Sequence, residues 1–184
     1  MKVITSDIES ILVTPEQIDE LTTRIAKQIS EDYKDSKKKL VLVCILKGSL
    51  MFTSELMKKL ELPVEIEFMK VSSYGAHTES TGVINIHVDL RREDLDECDF
   101  ILIEDIIDSG TTLSYLTKYL LGKGAKSVKT CTLLDKPSRR KVDYTPDYCG
   151  LEIPDEFVVG YGLDYAERYR ALPYVGILKP EVYS

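Results

Sequence analysis

The segment from Phe100 to Leu113 constrains the fold more than any other part of the chain. Phe100, Ile101, Leu102 and Ile103 form an apolar run that reads as a buried strand. The run ends in two adjacent carboxylates, Glu104 and Asp105. Two more apolar residues and a third carboxylate, Asp108, follow. Ser109, Gly110, Thr111 and Thr112 then supply hydroxyls and a pliable backbone before a helical pattern at Leu113, Leu116 and Leu120. The result is a strand–loop–helix unit. Its helix N-terminus presents free amides and the positive end of a dipole, a ready site for phosphate.

Three carboxylates at the rim of a phosphate site would repel its ligand unless something else binds there. A divalent metal arriving with the substrate would resolve the conflict, and so would sugar hydroxyls that need acceptors. A ligand with a phosphate at one end, a ribose in the middle and a metal-bound group beyond fits the whole segment. The competing reading is that the carboxylates cap the helix in solvent, where its positive end favours them. That reading suits any one acid better than all three together.

At 184 residues the chain is expected to form a single domain with a proper core. A net charge of −7 argues against sequence-independent nucleic-acid binding, which needs a basic footprint. The N-terminus lacks the apolar stretch of a secretory signal, and no apolar run approaches the length of a membrane span. Cys44, Cys98, Cys131 and Cys149 are scattered, and a reduced, cytoplasmic protein is the expectation. His77 and His87 have no partner at ligand spacing, so a His/Cys metal site is not expected.

Thr14, Pro15 and Gln17 form a capping box with Pro at the first helical position. Ile18, Leu21, Ile25 and Ile29 continue as one amphipathic helix. Leu40–Leu46 reads as a strand, Lys47–Ser49 as a turn and Leu50–Leu60 as a helix, the opening of a parallel βαβ layout. Val64–Phe68 and Ile84–Leu90 alternate like strands with one face in solvent. The polar segment 72–82 between them is too long for a tight hairpin and is expected to be a mobile lid or a disordered loop. Gly122 and Gly124 mark the end of the motif helix. Val128–Leu134, Phe157–Gly160 and Val175–Leu178 read as further strands.

In an open parallel sheet, ligands sit beyond the carboxyl ends of the strands, so Lys47 and Gly48 would face the same crevice as Glu104–Thr112. Lys47 brings a cation, and Gly48 lets the backbone approach an anion. Taken alone, the same residues are a plain helix start capped by Ser49. Lys136 lies at the carboxyl end of its strand, while most charges of Asp135–Lys141 read as a solvated loop. Phe157, on its own, would be core.

Together the Glu104–Thr112 motif, Leu46–Ser49, Lys136 and the stretch Ile153–Arg170 resemble the type I phosphoribosyltransferases, hypoxanthine/guanine branch, over about Leu40 to Tyr183. The resemblance implies an α/β fold: a twisted, mostly parallel sheet flanked by helices, with a small hood built from the N-terminal segment and residues 151–184 around a core of roughly 40–150. It implies transfer of ribose 5-phosphate from phosphoribosyl diphosphate (PRPP) to a 6-oxopurine, with Mg2+ as cofactor, and a homodimer or homotetramer.

Residue by residue, the resemblance implies a cis Leu46–Lys47 peptide in a loop that binds pyrophosphate and Arg170 gripping the same group. Asp108 is the general base, and Glu104, Asp105 and Asp164 serve the magnesium, directly or through substrate and water. Ser109, Gly110, Thr111 and Thr112 hold the 5′-phosphate. Lys136 donates to the purine 6-oxygen, Phe157 stacks on the ring, and the backbone of Val158 with Asp164 completes the purine site. Ser73 and Tyr74 match the closing lid. Two positions depart from the usual pattern: Ser109 stands where many relatives have Thr, and Thr111 where many have Lys or Arg. An RNA-binding PRPP sensor on the same fold is the alternative, and it would need a basic face that this acidic chain lacks.

Overall fold

A computed structural model describes residues 6–73 and 84–183. The long apolar runs of the sequence form the centre of a six-stranded sheet. The strands are β2 (Lys39–Leu46), β3 (Val64–Ser73), β4 (Ile84–Val88), β5 (Cys98–Ile107), β6 (Ser127–Asp135) and β7 (Tyr148–Glu152). Their order is β4-β3-β2-β5-β6-β7, and only the edge strand β4 runs antiparallel to its neighbour.

Side chains alternate across β2 and β5 into two separate cores. Leu40, Leu42, Ile101 and Ile103 face one core. Val41, Val43, Phe100 and Leu102 face the other. Both faces are therefore covered, which is why these strands read as continuous hydrophobic runs. The first core is closed by α1 (Pro15–Tyr33) and α2 (Leu50–Lys59), which contribute Ile18, Ile25, Ile29, Phe52 and Leu56. The second is closed by α3 (Thr111–Gly122) through Leu113, Leu116 and Leu120.

The capping box at Thr14 forms in both directions: the Gln17 amide donates to Thr14 Oγ1 and the Thr14 amide to Gln17 Oε1. Ser49 occupies the N-cap of α2, but its hydroxyl donates to the Ile45 carbonyl at 2.7 Å and caps nothing. The expectation that β5 stops at the acidic pair is corrected. The ladder with β6 continues through Glu104↔Thr132, Ile106↔Leu134 and Ile107↔Asp135, so Glu104 and Asp105 are strand residues.

A second, three-stranded antiparallel sheet joins distant parts of the chain: β1 (Ile8–Val13), β9 (Val175–Leu178) and β8 (Val158–Val159), in the order β1-β9-β8. One helical turn, α4 (Pro180–Tyr183), follows it. Of the expected lid, Ser73 ends β3, while Tyr74 and the rest of the segment to Gly82 lie outside the described residues. Among the described residues no helix is long and apolar enough to cross a membrane.

Candidate active site

Two clefts open side by side beyond the carboxyl ends of β2, β5 and β6. The larger, of about 470 Å³, is lined by Ile45, Leu46, Ser72 and the run from Glu104 through Gly110 to Leu113. The smaller, of about 320 Å³, is lined by Lys136, Arg139, Phe157, Val158, Leu163 and Tyr183. Ile106 and Asp108 belong to both walls, so the Asp108 carboxylate stands where the clefts meet.

The larger cleft ends on the N-terminus of α3. Gly110 is the N-cap, at φ 77°, and has no side chain with which to cap the helix. The Thr111 amide reaches Ser109 Oγ at 3.3 Å. Arg140, read from sequence as part of a solvated loop, is instead mostly buried behind the Asp108–Gly110 turn. It donates to the Asp108 carbonyl at 2.5 Å and pairs with the buried Asp135 at 2.5 Å, while the Lys141 amide donates to the Ser109 carbonyl at 3.0 Å. Its partners come from β6 and the far side of the loop, a pairing that only the folded chain makes visible. The charge-assisted bond to the Asp108 carbonyl and the backbone bond to the Ser109 carbonyl brace the start of this turn.

Asp105 is buried and Glu104 partly buried at the floor of this cleft. Loss of hydration pushes the Glu104 carboxyl well above its ordinary range, and the neighbouring Asp105 charge pushes it further. Its Oε2 has no hydrogen-bond partner among the described residues. Burial likewise raises Asp105 to about 6, opposed by the amide of Ile106, which donates to Oδ1 at 2.8 Å. An acid pair with one buried, orphaned oxygen is a site that a cation or hydroxyl donors would satisfy.

The Leu46–Lys47 peptide is cis. Gly48 then passes so close to the acids that a Cβ on it would lie 1.6 Å from Asp105 Oδ2. Gly162 packs on the other side, where a Cβ would meet the Gly48 carbonyl oxygen at 1.9 Å. Three segments distant in sequence thus touch, Gly162 on the Gly48 backbone and Gly48 on the Asp105 carboxylate. Side chains extend the contact: Arg170 pairs with Asp164 at 2.8 Å and donates to the Gly162 carbonyl at 2.8 Å. Lys47 Nζ pairs with both carboxylate oxygens of Glu167, at 3.0 and 3.1 Å, and Arg170 reaches the same carboxylate at 3.3 Å. Glu167 was not singled out in the sequence. Its role as the shared partner of two cations far apart in the chain depends on the tertiary fold.

In the smaller cleft Lys136 is nearly buried, donates to the Glu156 carbonyl at 2.6 Å and lies 3.9 Å from Asp108 Oδ1. Phe157 is partly exposed rather than core, and its carbonyl accepts from the Leu178 amide at 2.8 Å. Its ring stacks on Tyr183 at 4.5 Å between centroids and meets Tyr165 edge-on at 5.6 Å. Tyr183 is a second aromatic wall, and no periodic pattern in the chain marks it. Val158 is buried, held in register with Ile177 of β9.

An open, mostly parallel α/β sheet with polar clefts at the carboxyl ends of its strands is the architecture of an enzyme acting on a small, phosphorylated ligand. Comparison with known proteins narrows the class. The pattern of the phosphoribosyl transferase domain matches residues 10–166, and the chain belongs to this family. It is 49% identical over 179 residues to a hypoxanthine-guanine phosphoribosyltransferase of Staphylococcus aureus strain Mu50, covering 97% of this chain and 98% of that protein. The hypoxanthine-guanine phosphoribosyltransferase of Bacillus subtilis strain 168 is 48% identical over 178 residues, covering 97% of each. A crystal structure of a hypoxanthine phosphoribosyltransferase from Staphylococcus aureus superposes with a TM-score of 0.93 at 49% identity, over 99% of this chain and 97% of that one.

Proposed function

We propose that this chain transfers the 5-phosphoribosyl group of PRPP to hypoxanthine or guanine, giving the purine mononucleotide and pyrophosphate. The observation that carries the reading is the position of Asp108 on the wall shared by two clefts, with the nearly buried Lys136 in the smaller one. The larger cleft suits a ribose phosphate: α3 amides, Ser109 and Thr112 for the phosphate, and Glu104 and Asp105 for the hydroxyls. The smaller cleft suits a flat heterocycle, with Phe157 as a stacking surface and Val158 as an edge.

In the reaction the C1′–oxygen bond to pyrophosphate breaks and a bond from C1′ to the purine nitrogen forms. The nitrogen's proton passes to the Asp108 carboxylate. The carboxylates at the floor of the cleft stabilise positive charge developing on the ribosyl ring. Lys47 and Arg170 grip the departing pyrophosphate. Lys136 donates to a 6-oxo group and would oppose a 6-amino group, donor against donor.

The residues present fit magnesium. The orphaned Glu104 oxygen and the buried Asp105 are hard oxygen donors, and Asp164 offers a third. Among the described residues no three such groups converge into a protein-only cage. Bound there, Mg2+ would neutralise the leaving group. The chain is further proposed to act as a single cytoplasmic domain, assembled as a dimer or tetramer, with Ser73 and Tyr74 in a lid. An RNA-binding sensor finds no support in the relatives or in the acidic composition.

The test is a PRPP- and magnesium-dependent assay against hypoxanthine, guanine, xanthine, adenine and uracil. Turnover with hypoxanthine and guanine well above the other three is expected. Preference for adenine or uracil, or turnover without PRPP, would overturn the reading.

A further inference from the structure

We propose that Glu167 is a positioning residue that competes with pyrophosphate for Lys47 and Arg170, loosening the enzyme's hold on that group. The inference rests on the reading above, which assigns these two cations to pyrophosphate. Lys47 comes from the loop after β2, and Arg170 from the turn after β8. One carboxylate joins them, with Lys47 Nζ at 3.0 and 3.1 Å and Arg170 Nη2 at 3.3 Å.

The backbone is shaped to aim that carboxylate. Ala166, Glu167 and Tyr169 all adopt left-handed conformations, at φ 50°, 63° and 76°. Non-glycine residues keep such angles only where their surroundings impose them. The Glu167 amide donates to Asp164 Oδ2 at 2.9 Å, fixing the turn from the inside, and Arg170 pairs with the other oxygen of Asp164 at 2.8 Å. An anion is therefore built into the place where two cations converge.

The pair is also exchangeable. The Lys47 side chain is 50% exposed and that of Glu167 64%, and an ion pair so open to water is weak. A magnesium-bound pyrophosphate carries more charge than one carboxylate and can displace it. Glu167 returns when the product leaves. The carboxylate thus keeps both cations oriented while limiting how tightly they hold the leaving group.

Titration calorimetry with inorganic pyrophosphate in magnesium chloride, and separately with PRPP, tests this on the full chain. Glu167→Gln keeps the side chain's size and removes its charge. It is expected to bind both about two- to fivefold more tightly, the range of an exposed ion pair. Glu167→Asp keeps the charge and is expected to stay within about twofold of the parent. The KM for hypoxanthine should not move in either. Unchanged or weaker pyrophosphate binding by Glu167→Gln would overturn the inference while leaving the transferase reading intact. A parent protein that binds neither pyrophosphate nor PRPP would overturn both.

Discussion

Asp108 is exposed along half its side chain yet fixed from behind, since Arg140 donates to its carbonyl and Lys136 lies 3.9 Å from its carboxylate. Such a carboxylate faces the clefts while the backbone behind it is held. Asp108→Asn should therefore lower turnover by roughly 10²–10⁴-fold while PRPP still binds and thermal stability barely changes. Steady-state kinetics beside PRPP titration checks it, and near-normal turnover would reduce Asp108 to a loop residue. Asp105 is the opposite case. Burial lifts its pKa to about 6, so the folded state favours the neutral acid. The associated stability is complete below about pH 4 and is lost as pH rises through about 6. Asp105→Asn cannot ionise and should be more stable than the parent at pH 7–8 by about 1–3 kcal/mol, with the gain vanishing near pH 4 and PRPP affinity lost. Denaturant melts across pH would show it; a parent whose stability does not fall between pH 4 and 6 contradicts the argument. At this scale the acids, the Ser-Gly-Thr-Thr run and Lys136 were legible because each has a distinctive local context. Glu167, Arg140 and Tyr183 were not, because their partners lie on other elements and an isolated charge or ring carries no trace of them.

Among the elements, β2, β5 and β6 were readable as apolar runs because both of their faces are buried. β1 and β7 escaped notice. β1 is largely exposed and without clean alternation, and β7 is a short strand containing Gly150. Each exists because a neighbouring strand pairs with it, β9 in one case and β6 in the other. The loop after β2 shows how little freedom an element can have once placed. Gly48 touches Asp105 on one side and Gly162 on the other. In Gly48→Ala the new methyl would overlap Asp105 Oδ2, so either the acid leaves its position or the loop does. PRPP affinity should fall at least tenfold, and the protein should lose about 1–3 kcal/mol, the range for overpacking a closed site. Denaturant titration and PRPP calorimetry together measure this. A variant that binds PRPP normally would mean the contact is dispensable.

For the whole molecule, the two sheets differ in what holds them. The six-stranded sheet is sealed by helices on both faces, whereas the three-stranded one is small and edges the smaller cleft. Native-state hydrogen exchange should find the amides of β1, β8 and β9 opening by local fluctuations, well before those of β2, β5 and β6, which should open only with global unfolding. Equal protection in the two sheets would show that they unfold as one unit. The parallel order was foreseeable from the alternation of apolar runs and helices. The small sheet's pairing was not, since no local pattern specifies a partner almost a full chain length away.

That pairing has a consequence during biosynthesis. β1 leaves the ribosome long before β9, the strand it pairs with. At about 5–20 residues per second, β1 waits on the order of 10–30 s for its partner. Over that interval the six-stranded sheet and its helices can already be assembling, while β8, which carries Val158, also lacks β9. The wall that presents Phe157 and Val158 to the smaller cleft is thus the last to be closed. A nascent chain completes the Glu104–Thr112 loop well before the wall formed by Phe157 and Val158.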